Sequence, residues 1–255
     1  MPQLPRSVPA RWDREADVVV IGAGATGMPA AIVAREAGCS VILVEAEADI
    51  GGHAITSGGN VPLGGGTSVQ KAYGIEDSPD LLFRDLTDWS VVGPNGFPDY
   101  RYNDREIIRA FADNSAPCFE WLLAHGVEFI DRAPDHIGGN SVGNSVPREM
   151  HSVAGHWPMP ATGRPADPEV QKTRLSGNGM MRALEIAARR CGVEILLEHR
   201  MTRIYRQTPN AGPVLGIAVD RKRGGPIDIR ATKRPSSAPV ARPATSISAA
   251  CSIRD

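Results

Sequence analysis

The sequence predicts an α/β fold organised on a parallel sheet, and three observations carry that prediction. An apolar run, Val18–Ile21, ends directly on Gly22-x-Gly24-x-x-Gly27; helix-forming residues 28–37 come next and stop at Gly38; a second apolar run, Val41–Val44, then delivers Glu45. Short apolar runs bounded by turn residues read as buried parallel strands. Strand, glycine turn, helix, strand and acid in this order form the Rossmann dinucleotide fingerprint. The three glycines differ in physical role. Gly22 makes the tight turn, Gly24 leaves room for a pyrophosphate, and Gly27 lets helix and strand pack closely. Ala25 and Thr26 fall where the helix begins, and its N–H groups and partial positive charge favour phosphates. Glu45, succeeded by Ala46, stands at about the 20-residue separation at which a carboxylate accepts hydrogen bonds from a ribose.

The residues after Glu45 choose the cofactor. Gly51-Gly52, His53, Ser57-Gly58-Gly59-Asn60 and Gly64-Gly65-Gly66-Thr67 come in quick succession. A nicotinamide-binding unit has no need of glycine clusters just after its second strand. A flavin has, because backbone must pass close to its pyrophosphate and ring without side chains intervening. The pattern Glu45-x5-Gly51-Gly52 resembles the glutathione-reductase-type Rossmann FAD-binding fold. More narrowly, the string IGGHAITSGGNVPLGGGT resembles the flavoprotein family of fumarate reductases, succinate dehydrogenases and 3-ketosteroid dehydrogenases. The alternative is a glycine-rich surface loop after an NAD(P)-binding unit.

The resemblance implies FAD as cofactor and an oxidoreductase acting on a C–C or C=C bond next to a carbonyl or carboxylate. Its substrate would be a small enone, steroid or dicarboxylate, and a separate electron donor or acceptor would complete the cycle. It also implies an α+β cap inserted into the FAD-binding domain, of which this chain holds the beginning, so the fold is expected to be truncated to the N-terminal half. In the families resembled, the acid or base of the reaction comes largely from the other half, so a non-catalytic or vestigial FAD-binding fragment is the second expectation. The expected division is an N-terminal arm over 1–16, the first part of the FAD-binding domain over 17–100, the inserted region over 101–175, a return to the FAD-binding domain over 176–233, and an irregular tail over 234–255.

Residues 78–90 and 104–125 show helical periodicity, the second through Ile107, Ile108, Phe111, Phe119, Trp121, Leu122 and Leu123, with Gly126 ending it. Residues 138–168 are rich in Gly, Pro, Ser and His, and so long an irregular stretch suggests binding. A helix comes after it, its apolar face formed by Met180, Met181, Leu184, Ile186 and Ala187, with Gly192 at its end. A strand over 193–197 and a hairpin of 214–221 with 226–230 complete the pattern. In the family, the segment holding Met201 and Thr202 lies near the adenine.

Catalytic candidates are fewer. The segment Asn144-Ser-Val-Pro-Arg148-Glu149-Met150-His151 sits where fumarate-reductase-like enzymes carry residues touching the substrate. Arg148 could form a bidentate pair with a carboxylate or polarise a carbonyl, and His151 could donate a hydrogen bond to a substrate oxygen. The spacing is one residue longer than the family's, and solvated loop side chains are the alternative for both. Some relatives attach FAD covalently through a histidine before a Gly-Gly pair. His53 precedes Gly58-Gly59 by one residue fewer than that pattern requires, which favours a noncovalent role.

Composition excludes other classes. With 255 residues and a net charge of −1, neither nucleic acid nor an anionic membrane is indicated as partner. No apolar stretch approaches the roughly 20 residues of a membrane span, and the N-terminus lacks the apolar core of a signal peptide. The cysteines, Cys39, Cys118, Cys191 and Cys251, show neither CxxC nor metal spacing, which points to a reduced, cytoplasmic protein without a metal site. From Arg234 the sequence has no strand or helix pattern. Read one base out of frame, that stretch permits an apolar strand running into a Gly-rich loop, which resembles the family's second flavin-contacting motif. The expectation is that one base is missing just after Lys233; a disordered linker is the alternative.

Overall fold

The computed structural model describes residues 8–87, 104–136, 145–153, 176–208 and 211–233. The chain divides into two units, 1–56 with 181–255, and 57–180. The crossings thus fall after residues 56 and 180, against the expected 100 and 175.

The first unit opens with a short strand, β1 (Arg14–Ala16), and then builds a sheet of three parallel strands. These are β2 (Val18–Ile21), β3 (Val41–Val44) and β6 (Glu194–Leu196), in the order β2-β3-β6. Helix α1 (Gly27–Glu36) connects β2 to β3 and buries Met28, Ala31 and Ile32. Central β3 is buried throughout, as four consecutive aliphatic residues require. Strand β2 was expected to be equally buried, but it is only half-buried and Ile21 is 48% exposed. Among the described residues β3 alone pairs with it.

A second sheet joins β1 to β7 (His199–Thr208), β8 (Ala211–Arg221) and β9 (Ile227–Ala231), in the order β1-β9-β8-β7. The N-terminal arm is therefore partly a strand: β1 lies parallel to β9 in the register Glu15↔Arg230. The expected hairpin is observed as β8–β9, and β7 extends it. Ala16, Ile42, Val44, Ile217, Val219 and Ile229 form one buried cluster, which joins the two sheets. Trp12 lies edge-on to Tyr205 and covers Gly216, where a Cβ would come within 2.2 Å of the Ile229 carbonyl oxygen. Helix α2 (Gly52–Ile55) ends the unit's first segment.

The second unit holds the strand pair β4 (Asn60–Pro62) and β5 (Glu149–His151), antiparallel, with helices α3 (Ser68–Ala72), α4 (Pro79–Thr87) and α5 (Arg105–Ala124). Helix α6 (Gly177–Cys191) starts here and carries the chain into the first unit. Asp104 caps α5 by accepting hydrogen bonds from the Glu106 and Ile107 N–H groups. Its buried face is Ala112, Ser115, Phe119 and Leu122, one stripe at helical spacing, whereas Ile107 is 66% exposed and Phe111 and Leu123 also face outward. The apolar residues picked out in the sequence lie on more than one face of the helix, so they cannot all face inward. On α6 the buried residues are Met181, Leu184 and Ala188, while Ile186 is exposed.

Of the irregular stretch 138–168, only 145–153 is described; the rest of it and the tail 234–255 lie outside the described residues.

Candidate cofactor site

Strand β2 ends in Gly22 at φ +90°, whose N–H donates to the Val44 carbonyl (2.8 Å). The chain then turns into α1 so tightly that a Cβ on Gly27 would stand 1.9 Å from the Gly22 carbonyl oxygen. Thr26 makes no side-chain capping bond, no acidic residue occupies the first turn, and Pro29 has no N–H to offer. The Met28 and Ala30 N–H groups donate to the Gly24 and Thr26 carbonyls (3.0 and 3.2 Å), so the turn offers the partial positive charge of the helix end at exposed Ala25 and Thr26.

A second glycine turn faces the first. The Gly51 N–H donates to the Ala23 carbonyl (2.8 Å), and Gly51 and Gly52 adopt φ of +108° and +51°. A Cβ on Gly24 would meet nothing nearer than the Gly51 carbonyl oxygen at 4.0 Å, and one on Gly52 would lie 3.8 Å from the Gly24 Cα. Two stretches of backbone thus confront one another with no side chain between them, at the carboxyl ends of the parallel strands. Glu45 closes the arrangement: its Oε2 accepts from the Ala23 N–H (2.8 Å) and its Oε1 from the Glu47 N–H (2.9 Å). Each carboxylate oxygen keeps a second lone pair. Backbone bare of side chains and a carboxylate with acceptor capacity to spare are the groups that a pyrophosphate and a ribose call for.

The remaining expected residues are placed less directly. Ala46 continues the loop half-buried, and His53 is exposed on α2. The His199 N–H donates to the Glu45 carbonyl (2.7 Å), which ties the start of β7 to β3. Met201 packs on the inter-sheet core, and exposed Thr202 stands at a β-bulge, its Oγ1 donating to the Ala218 carbonyl (3.4 Å).

Ser57, Gly58, Gly59, Arg148 and His151 belong to the other unit. Ser57 and Gly58 are exposed, while Gly59, at φ +78°, is wedged where a Cβ would come within 2.7 Å of Ser152 and Ser176. The turn at 64–66 serves an internal network rather than open backbone: a Cβ on Gly64 would stand 2.4 Å from the Arg148 Cδ, and the Gly65 N–H donates to Asp77 Oδ2 (2.7 Å). Arg148 is 2% exposed. Its Nε and Nη2 donate to the two oxygens of Asp77 (2.9 Å each), and its Nη1 donates to Asp85 (2.6 Å). Gln70 bridges Asp77 to the Pro147 carbonyl, and Asp85 accepts from the Ser145 N–H and hydroxyl. Burial alone would push the Asp77 carboxyl up, but hydrogen bonds from Arg148, Gly65 and Gln70 outweigh it and hold the group below its ordinary value. The expected substrate-facing fork of Arg148 is therefore turned inward. Nearby, Arg132 Nη2 donates to His151 Nδ1 (2.9 Å), so this nitrogen is the acceptor and the imidazole proton sits on Nε2. His151 is buried.

The structure thus brings together Gly22, Gly24, Gly27, Glu45, Gly51 and Gly52. Sequence reasoning missed Ala23, whose N–H and carbonyl join Glu45 to Gly51, and missed Asp77, Asp85 and Gln70 around Arg148. No spacing signal marks those partners.

The sequence pattern of the FAD binding domain family matches residues 17–240. The chain belongs to that family. Its cofactor is FAD, which displaces the NAD(P) alternative and accounts for the second glycine turn. The fumarate reductase (cytochrome) of Shewanella frigidimarina is 33% identical over 148 residues, 54% of this chain and 24% of that protein. A KsdD-like steroid dehydrogenase of Mycolicibacterium smegmatis is 37% identical over 155 residues, 56% of this chain and 26% of that protein. Among solved structures, the 3-ketosteroid-Δ4-(5α)-dehydrogenase of Rhodococcus jostii RHA1 superposes with a TM-score of 0.67 at 27% identity, covering 89% of this chain and 46% of that one. The aligned part therefore spans about a quarter of these curated relatives and under half of the solved chain. The fold is the FAD-binding fold of fumarate reductases and ketosteroid dehydrogenases, represented by its N-terminal part.

Replacing Glu45 by Ala removes a charged acceptor, and hydrogen bonds to charged groups contribute about 1.5–3 kcal/mol. FAD affinity is expected to fall by about 10- to 100-fold, measured by quenching of flavin fluorescence on titration. An unchanged dissociation constant would remove Glu45 from the site.

Proposed function

We propose that the whole protein is an FAD-dependent oxidoreductase acting on a carbon–carbon bond next to a carbonyl or carboxylate. The observation that carries this reading is the slot bare of side chains between Gly24 and Gly51-Gly52, with Glu45 at its end, in a chain of the FAD binding domain family. The relatives' names, fumarate reductase and steroid dehydrogenase, supply the bond type. When bound, FAD supplies the two-electron chemistry. This chain's residues bind and orient it: Gly22, Gly24, Ala25, Thr26, Gly27, Gly51 and Gly52 hold the pyrophosphate, and Glu45 with Ala46 the ribose. Met201, Thr202, His53, Ser57, Gly58 and Gly59 are assigned to the cofactor on the resemblance alone, with His53 noncovalent.

Arg148, paired and sealed, is assigned to holding its own unit together instead of touching substrate. His151, with Nε2 left as its donor, keeps the assignment of polarising a substrate oxygen. Substrates of the dicarboxylate, steroid or enone class fit this reading, with a separate electron donor or acceptor. Among the described residues no helix is long and apolar enough to cross a membrane; cysteine usage supports a cytoplasmic location.

The test is an absorbance spectrum of the chain after incubation with FAD and desalting. Retained flavin bands are expected, and a colourless protein would count against the site. The inward pairing of Arg148 favours one further reading, a chain that holds FAD without turnover. Assays with artificial electron acceptors separate the two: reduction of the acceptor in the presence of a steroid or dicarboxylate supports catalysis, and retained flavin without turnover supports binding alone.

A further inference from the structure

Residues 45–51 are tied to the first glycine turn at their two ends, by the Ala23 N–H bond to Glu45 and the Gly51 N–H bond to the Ala23 carbonyl (2.8 Å each). Gly51 and Gly52 have wide backbone freedom, yet the slot requires them to stay at one distance from Gly24. The stretch between those ends has two further anchors, and buried Ile50 is one. The other is an ion pair with α6. Arg182 Nη1 donates to Asp49 Oδ1 (2.8 Å), and its Nη2 donates to Oδ2, a two-pronged fork. Asp49 Oδ1 also accepts the Ile50 N–H (2.8 Å), so the carboxylate grips the backbone next to Gly51. Arg182 is held in turn by Glu185 Oε2 (2.8 Å), whose Oε1 accepts from Arg189. The Arg182 side chain is only 13% exposed, so the pair is less screened than a surface salt bridge. Arg182 holds the Asp49 carboxyl below its ordinary value, in keeping with a persistent pair.

We propose that Arg182 is a positioning residue of the FAD site: through Asp49 it holds the 45–51 loop so that Gly51 and Gly52 face Gly24 with no side chain between them. This rests on the FAD reading of that slot, and Arg182 acts through Asp49. Arg182→Lys keeps the charge but loses the fork; Arg182→Met loses both, and Asp49→Asn keeps the shape of the partner without its charge.

The experiment is a flavin fluorescence titration of the full chain and its variants, with circular dichroism melting of each apo form. The dissociation constant for FAD is expected to rise about tenfold in Arg182→Met and in Asp49→Asn, and by less in Arg182→Lys. The Arg182→Met/Asp49→Asn double variant is expected to be no weaker than either single one, because both act through one pair. Apo melting temperatures are expected to stay close to the wild type, Asp49→Asn being near-isosteric and half-exposed. Single variants within twofold of wild type would overturn the proposal, as would effects that multiply in the double variant or weakened binding that only accompanies loss of the apo fold. A wild-type chain that takes up no FAD would overturn the site and the clamp together, whereas normal uptake with indifferent variants removes the clamp alone.

Discussion

Gly27→Ala is expected to abolish FAD retention and to lower the stability of the chain by about 2–3 kcal/mol, the upper range for overpacking. The new methyl group would start 1.9 Å from the Gly22 carbonyl oxygen, and Val20 is the next neighbour at 3.4 Å. Backbone cannot swing aside as a flexible side chain can, so either α1 moves away from β2 or the Gly22 turn opens. Both displace the helix N-terminus from the slot. Gly24→Ala provides the contrast, since its Cβ would find only the Gly51 carbonyl oxygen at 4.0 Å. That variant should fold as well as the wild type while its FAD affinity falls, because the methyl group enters the space left for the pyrophosphate. Urea denaturation together with flavin retention after desalting reads both effects. A Gly27→Ala chain of wild-type stability would refute the packing argument.

Arg148→Met is expected to be the most destabilising single change in the second unit, at about 3–5 kcal/mol, the cost of leaving one partner of a buried ion pair uncompensated. Asp77 would stay buried, its side chain 0% exposed, with its charge facing only Gln70 and backbone N–H groups. Asp77→Asn should be damaging for the mirror reason, although Asp85 still accompanies the arginine. The pH dependence comes from the depressed carboxyl of Asp77. A group whose folded-state value lies below its ordinary 3.8 contributes stability that is fully present above that value and is lost as pH falls through the lower, folded one. The wild type's advantage over Arg148→Met should therefore narrow below about pH 4. Denaturation curves at neutral and acidic pH measure it. An Arg148→Met chain as stable as the wild type, with a turnover defect instead, would return the arginine to the substrate.

These two sites differ in how far the sequence reveals them. The fingerprint from Val18 to Glu45 was legible because its physical demands are local: positive φ at Gly22, a missing Cβ at Gly27, and a crossover helix between two neighbouring strands all fall within one βαβ unit. Gly51 and Gly52 were legible for the same reason, by their distance from Glu45. Gly64, Gly65 and Gly66 look the same in the sequence and mean something else. They make room for Arg148 and bind Asp77, partners that a one-dimensional pattern does not connect.

The sequence by itself determined the dinucleotide turn, its acid, the FAD assignment and the order of strands and helices around them. Only the tertiary structure decided that residues 14–16 of the arm form a strand, that β2 is half-buried where β3 is buried throughout, that Arg148 turns inward, and that Arg182 grips Asp49. Arg148 lies 71 residues from Asp77 and 63 from Asp85, and Arg182 lies 133 from Asp49. At such separations the pairing of a charge depends on which elements pack together, a choice made by the buried apolar faces of both units. Composition and spacing record that a charge is present; the packed core decides what it meets.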